Sequence, residues 1–125
     1  MASSLHYAAK ARQLETVSLY VKATIGGTGA PTLVTDASKG ILSITRNDTG
    51  DYTIALKEPY NSLLAVNPMI LDATDRDLTF QIISEDVVSS TAPNVKIGSH
   101  AAATPTDPPS GSILYVEIVL RNSSV

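Results

Sequence analysis

Strict alternation of apolar and polar residues marks two long strands, one near each end of the chain. In residues 14–25, the apolar positions of one face are Val17, Leu19, Val21, Ala23 and Ile25. In the segment 113–121, the inward positions are Leu114, Val116, Ile118 and Leu120. The outward positions of that segment are Tyr115, Glu117, Val119 and Arg121. A period of two is typical of a strand with one buried face.

A hairpin is predicted between these two strands. Residues 41–46 and 52–57 are short alternating segments, and residues 47–51 between them contain Asn, Asp and Gly. A short loop with Gly between two such segments favours a hairpin. The alternation places Leu42 and Ile44 on one face of the hairpin. We expect them to lie opposite Tyr52, Ile54 and Leu56.

The remaining segments are weaker. Strands are predicted at 68–71 and 78–84, with shorter ones at 32–35, 87–88 and 94–97. Residues 57–64 indicate a helical turn, because Tyr60, Leu63 and Leu64 have helical spacing. Loops are predicted at 26–31, 36–40, 72–77 and 98–112. The last contains Pro105, Pro108 and Pro109, which cannot donate to a regular ladder.

The pattern as a whole predicts an all-β fold. We expect one β-sandwich or jelly-roll-like barrel of about seven to nine short antiparallel strands. At 125 residues the chain suits a single domain. Residues 1–13 are expected to form an N-terminal arm or short helix, with residues 14–125 as the β domain.

Composition narrows the functional classes. Charged residues are 17% of the chain, the net charge is −3, and Ser and Thr outnumber all charged residues. This charge does not favour nucleic-acid binding. No apolar run approaches the length of a membrane helix, and residues 1–7 lack the pattern of a signal peptide. Neither nucleic acid nor membrane is therefore an expected partner.

Candidate catalytic and metal-binding groups are few. The chain has no cysteine, which excludes disulfides and thiolate chemistry. His6 and His100 lie in an expected arm and an expected loop, and no nucleophile-elbow motif accompanies them. The glycines at 26–29 precede no helix pattern that would bind phosphate. We expect no enzyme and no cofactor, although a small hydrolase using either histidine stays a third alternative.

The best metal candidate is the acidic group Asp72, Asp75 and Asp77. The spacing lacks the central Gly and terminal Glu of a calcium loop, and Arg76 opposes a cation there. A solvated turn accounts for the same residues. The sequence therefore predicts no metal site.

Residues 48–52 resemble the tyrosine corner of immunoglobulin domains, with the pattern Asp-x-Gly-x-Tyr. In that family a cysteine follows the tyrosine by two positions, and this chain has Ile54 there. A tryptophan is also missing. A plain hairpin uses the same turn residues, so both interpretations stand.

Apolar residues also occupy outward strand positions, notably Ile83, Tyr115 and Val119. An oligomer, or a module seated on a larger shell, would bury such side chains. The low charge of residues 98–112 would not repel a neighbouring copy. These features favour a structural protein that assembles.

Several segments together resemble small structural proteins of tailed bacteriophages. They are residues 6–15, the Gly-rich loop with residues 30–34, residues 38–41 and 52–56, and the ending 119–125. The resemblance implies a β-rich virion component, among them capsid decoration (cement) proteins and short head fibres, often trimeric. It implies no catalytic residues.

From that resemblance we expect a non-enzymatic capsid decoration protein. It is expected on the capsid surface of the virion after synthesis in the host cytoplasm. The expected partners are copies of the chain, with a trimer favoured, and the major capsid protein or another virion protein. The residues assigned to capsid docking are Leu5, Tyr7, Arg12 and Leu14. Those assigned to self-association are Tyr115, Glu117 and Val119.

The alternative is a tail or fibre adhesion module. In that case the loops at 26–31 and 98–112 would contact a ligand on the host surface.

Overall fold

The computed structural model describes residues 16–74 and 77–122. Several sequence predictions lie outside these residues. They are the N-terminal arm or helix, the docking residues Leu5, Tyr7, Arg12 and Leu14, and the candidate ligands His6 and Asp75.

The described residues form nine strands and one short 3₁₀ turn, Thr35–Ala37. The strands are β1 (Thr16–Gly26), β2 (Gly29–Leu33), β3 (Ile41–Asp48), β4 (Asp51–Leu56), β5 (Ser62–Leu71), β6 (Thr79–Asp86), β7 (Asn94–Ala101), β8 (Thr104–Pro105) and β9 (Ile113–Arg121). They pair antiparallel in two sheets. The predicted all-β sandwich is confirmed.

Sheet A has the strand order β2-β1-β9-β5. Its two central strands are the two long alternating segments of the sequence, which pair from Thr16 opposite Arg121 to Thr24 opposite Ile113. β5 pairs along the other side of β9. Sheet A therefore joins the first described strand to the last.

Sheet B has the order β3-β4-β7-β6, and the short β8 pairs with the end of β7. The lower end of the sandwich contains Thr16, Ser62, Asp86 and Arg121. The upper end contains the β1–β2 turn, the β3–β4 turn and the start of β9.

The core lies between the sheets and follows the predicted alternation. Leu114, Val116, Ile118 and Leu120 of β9 are all buried, as are Tyr52, Ile54 and Leu56 of β4. On β1 the buried residues are Leu19, Val21, Ala23 and Ile25. Each fully buried aliphatic side chain contributes roughly 1.5–3 kcal/mol, so these three strands supply much of the stability.

The prediction for Leu42 is wrong. Register shifts between Ile41 and Ser43, so Ile41 and Ile44 are both buried and Leu42 is 64% exposed. An extra residue in one strand of a pair turns the next side chains to the other face. A second irregularity, between Ile82 and Ser84, leaves Ile82 and Ile83 both exposed.

The helical turn predicted at 57–64 is also wrong. Only a bend occupies residues 57–61, and β5 begins at Ser62. The register of β5 shifts between Leu63 and Ala65, and Leu64 is the extra residue at that point. Leu63 and Leu64 follow Tyr60 by three and four positions, which is the spacing of a helix face. In the structure, however, they lie on opposite faces of an irregular strand.

Two predicted loops are partly strands. Within 26–31, only Gly27 and Thr28 form the turn, and β2 includes Pro31. β2 is an edge strand, where a missing N–H is tolerated. Within 98–112, β7 continues to Ala101, and Pro108 and Ser112 are buried. The strand continues through the small residues Gly98 and Ser99. Because neither has a bulky apolar side chain, the sequence shows no alternation there.

Candidate functional site

The outer face of sheet A has the largest group of exposed apolar side chains on the described residues. Nine large hydrophobic residues are exposed among the described residues. Four of them lie on this face: Tyr20, Met69, Leu71 and Tyr115. Met69 is 70% exposed and Leu71 54%. We call this surface the sheet A face and define it by Tyr20, Lys22, Asn67, Met69, Leu71, Tyr115, Glu117 and Val119.

Strand register explains how the face is assembled. β9 lies between β1 and β5, so each outward residue of β9 has one neighbour on either side. Glu117 lies between Tyr20 and Asn67, and Tyr115 lies between Lys22 and Met69. Residues that are distant in sequence therefore form two adjacent rows.

The Glu117 row is held by hydrogen bonds. Asn67 donates from Nδ2 to Oε1 of Glu117 at 3.0 Å, and the Tyr20 hydroxyl donates to Oε2 at 3.4 Å. The carboxylate is thereby fixed in the middle of the face. A fixed polar group in apolar surroundings determines the orientation of a protein–protein contact more than its affinity.

The Tyr115 row is largely apolar. The Nζ of Lys22 lies 5.7 Å from the centroid of the Tyr115 ring, within the range of a cation–π contact. Met69 lies on the other side of Tyr115, and the next row pairs Ile113 with Leu71. Lys22 therefore contacts one side of Tyr115, and the exposed Met69 lies on its other side.

A cavity of about 190 Å³ lies between the two rows. Tyr20, Lys22, Asn67, Met69 and Tyr115 are among its lining residues. Pockets for drug-sized ligands are usually about 300–1,000 Å³. This hollow suits a single inserted side chain better than a bound organic molecule.

The outer face of sheet B differs in character. Its strand neighbours include Thr45 with Thr53, Thr53 with Lys96, and Ala55 with Asn94. Leu42 is a large exposed apolar side chain beside these residues, and Ile83 is another, next to Gly98 of β7. Sheet B therefore presents a more polar face, and Leu42 offers a matched control position.

The structure brings the three predicted self-association residues together. Tyr115, Glu117 and Val119 all lie on the sheet A face, with Tyr115 exposed and the other two half-buried. Sequence reasoning missed Tyr20, Lys22, Asn67 and Met69 as members of this face. Alternation already pointed Tyr20 and Lys22 outward, but the position of β5 beside β9 had no sequence signal.

A second arrangement ties the segment between β8 and β9 to sheet B at the upper end. Asp107 accepts hydrogen bonds from Arg46 Nε at 3.0 Å and Arg46 Nη2 at 2.8 Å. It also accepts from the Gly50 N–H at 2.9 Å and the Tyr52 hydroxyl at 3.1 Å. We call these four residues the Asp107 clasp. The Tyr52 hydroxyl of the corner-like motif thus bonds a distant loop.

The electrostatics of the clasp follow from its contacts. The hydrogen bonds from Arg46 hold the pKa of Asp107 below its usual range, against the opposing effect of burial. Burial raises the pKa of Tyr52, and the neighbouring Asp107 carboxylate raises it further. Asp107 is therefore a carboxylate and Tyr52 a neutral donor at neutral pH.

His100 and the acidic turn have separate positions. His100 lies on β7 opposite Thr79, with its ring close to Gly98. Asp72 follows β5 and accepts a hydrogen bond from the Thr74 N–H at 3.1 Å. Within residues 16–74 and 77–122, no three His, Asp or Glu side chains are grouped as metal ligands would be.

Among the residues that the structure describes, no helix has the length and apolar character needed to cross a membrane.

Comparisons of the chain with protein-family models, curated proteins and solved structures find no match.

Proposed function

We propose that the chain is a non-enzymatic virion structural protein of a tailed bacteriophage. In this proposal it is a capsid decoration protein that self-associates and stabilises the head shell. The observation that carries self-association is the clustering of Tyr20, Met69, Leu71 and Tyr115 on one sheet face. The assignment to a virion rests on the resemblance of the sequence to small phage structural proteins.

The chemistry of the sheet A face supports contact with another protein. Exposed apolar patches rimmed by polar groups are typical of protein interfaces. Tyrosine is also enriched at interface cores, and two of the four exposed apolar residues are Tyr20 and Tyr115. Full burial of a side chain such as Met69 would contribute roughly 1.5–3 kcal/mol.

A dimer and a trimer would use this face differently. In a two-fold dimer the face would pack against itself, whereas in a three-fold ring it would contact a different patch of the next copy. The resemblance favours the trimer. Docking to the shell is proposed for Leu5, Tyr7, Arg12 and Leu14, which lie outside the described residues.

Shell binding is tested by sedimentation with expanded phage capsids that lack the protein. We expect saturable binding by the wild-type chain and by Leu42→Asp, and at least tenfold weaker binding by Tyr115→Asp, because binding is strengthened by contacts between copies. The capsids should also resist a higher temperature when decorated. Absence of binding at saturating protein would contradict the decoration proposal.

A second candidate function is adhesion, and one observation favours it. The loop at 98–112 meets the end of β1 at the upper end, directly before the loop at 26–31. The Gly111 N–H donates to Ile25 O at 2.8 Å, and the Ile25 N–H donates to Ser112 O at 2.9 Å. Beside them, residues 71–73 and 110–113 line an open cavity of about 520 Å³. Loss of host attachment without loss of shell stability, in virions lacking the protein, would favour adhesion.

A further inference from the structure

The hairpin of β7 and β8 has a turn that its residues do not favour. Ala101 pairs with Thr104. Ala102 and Ala103 between them form the whole turn, with φ angles of 50° and 68°. Among the described residues other than glycine, only these two have a positive φ. A two-residue turn of this kind is usually Asn-Gly, and each alanine in it lowers the folding equilibrium constant by roughly tenfold.

The hydrogen bonds of this hairpin are too few to hold it in place. Beyond the pair at the turn, the ladder continues with the hydrogen bond from the Thr106 N–H to Ser99 O at 2.9 Å. The Ser99 N–H does not return it, because it donates to Gly50 O at 2.8 Å. Fixing the backbone of one residue costs at least as much as one net hydrogen bond supplies. The strained turn adds to that deficit, so residues 102–107 need a further restraint.

The Asp107 clasp supplies this restraint. The carboxylate at the end of the segment accepts four hydrogen bonds, from Arg46, Gly50 and Tyr52. These donors belong to β3, β4 and the turn between them. The clasp therefore ties the end of the hairpin to the regular part of sheet B. Its two-pronged contact with Arg46 is charge-assisted and stronger than a neutral hydrogen bond.

The chain on either side of the segment is anchored without the clasp. After it, the Gly111 N–H donates to Ile25 O at 2.8 Å, and the Ile25 N–H donates to Ser112 O at 2.9 Å. Before it, β7 pairs with β4 as far as Gly98. Release of Asp107 would therefore free the segment while both sheets keep their strand pairing.

A buried hydroxyl beside the segment adds a second cost to the closed arrangement. Ser99 is 0% exposed, and its Oγ has no hydrogen-bond partner among the described residues. An unpaired buried hydroxyl is unfavourable, and only a conformation that admits water relieves it. The alanine turn and this hydroxyl both oppose what the clasp holds together.

We infer that residues 102–107 form a latch, which the Asp107 clasp holds closed and which opens as one unit while the sandwich stays folded. Segments with few restraining contacts commonly open below the free energy of global unfolding. In the open state, the Arg46 guanidinium and the Tyr52 hydroxyl would no longer be paired with Asp107 and would be available to another acceptor. The latch thus changes which donors the upper end presents. It depends on neither the decoration function nor the adhesion function.

A double-mutant cycle tests the coupling between the clasp and the turn. The turn variant is Ala102→Asn with Ala103→Gly, the residues that such turns prefer. In the wild-type background, we expect it to raise the folding equilibrium constant, measured in urea, by about fivefold or more. The Asp51→Ala background has an intact clasp and should keep this gain. In the Asp107→Ala background, where the turn has already relaxed, the gain should be less than about twofold. A smaller gain in the wild type, or the same gain in the Asp107→Ala background, would overturn the inference.

Hydrogen exchange in the wild-type chain tests opening as one unit without any substitution. The Thr106 N–H donates to Ser99 O, and the Gly50 N–H donates to Asp107. Opening of the latch breaks both bonds together. We expect their protection factors to agree within about threefold and to lie at least about tenfold below those of the central β9 amides. A larger difference between the two amides, or protection closer to that of β9, would contradict the latch.

Discussion

Replacement of Gly50 by alanine is expected to lower the free energy of unfolding by about 3 kcal/mol or more. Gly50 is buried at the β3–β4 turn with φ of 65°, in the left-handed region. An added Cβ would collide with the Ser99 carbonyl oxygen and lie 2.8 Å from Thr106 N. Both obstacles are backbone atoms, so relief requires β7 or the following segment to move. Urea denaturation measures the change.

Gly111→Ala is the matched control. Gly111 also has a left-handed conformation, with φ of 87°, but nothing lies within 4 Å of its added Cβ. This variant should lose only about 1–2 kcal/mol, the ordinary cost of that conformation for a residue with a side chain. Equal losses at Gly50 and Gly111 would contradict the close packing of the turn against β7.

Asp107→Ala is expected to lower the free energy of unfolding by about 2 kcal/mol at neutral pH. The substitution removes the shared acceptor of four hydrogen bonds from Arg46, Gly50 and Tyr52. Partial exposure of the Arg46–Asp107 pair limits the loss, because water replaces part of the interaction. Asp51→Ala is the control, since Asp51 accepts from Asn47 on the exposed side of the same hairpin. It should cost less than about 0.5 kcal/mol.

The effect of Asp107 should depend on pH with a defined sign. Its folded-state pKa is lowered, chiefly by Arg46, so its stabilisation is complete above the unfolded pKa of about 3.9. The stabilisation is lost as the pH falls through the folded-state value. Wild type and Asp107→Ala should therefore differ by a constant amount above about pH 5 and converge in more acidic solution. A gap that stayed constant down to pH 2 would contradict the role of the carboxylate.

The long alternating strands were predictable from sequence because their pattern is redundant. β1 and β9 each present four or more apolar residues at a period of two, and both are central in sheet A. The β3–β4 hairpin was predictable for a similar reason, since Asp and Gly mark the turn. These signals are local, and the structure contains the strands and the turn that they predict.

Irregular strands were not predictable. Leu42 and Leu64 both lie beside register shifts, where a single extra residue changes which face the next side chains occupy. The position of such a shift depends on the hydrogen bonds of the partner strand. The pattern at Leu63 and Leu64 therefore indicated a helical turn that the structure does not contain.

Long-range placement explains what was missed at the two described sites. Tyr115 and Glu117 could be placed on an outward face by parity alone. Met69 and Asn67 join them only because β5 pairs with β9. Asp107 lies in a segment predicted as an exposed loop, yet its partner Arg46 is 61 residues earlier. Neither pairing leaves a signal in a single sequence.

The central proposal is that copies of the chain meet through the sheet A face, and light scattering of the purified chain tests it most directly. We expect a mass near three chains of 13.1 kDa for the wild type and for Leu42→Asp. The variant Tyr115→Asp with Val119→Asp should have the mass of one chain, because each substitution buries an unpaired carboxylate in the contact. A mass near two chains would retain self-association and overturn the trimer. A wild-type mass of one chain at all concentrations, or an unchanged mass in the double variant, would contradict the proposal.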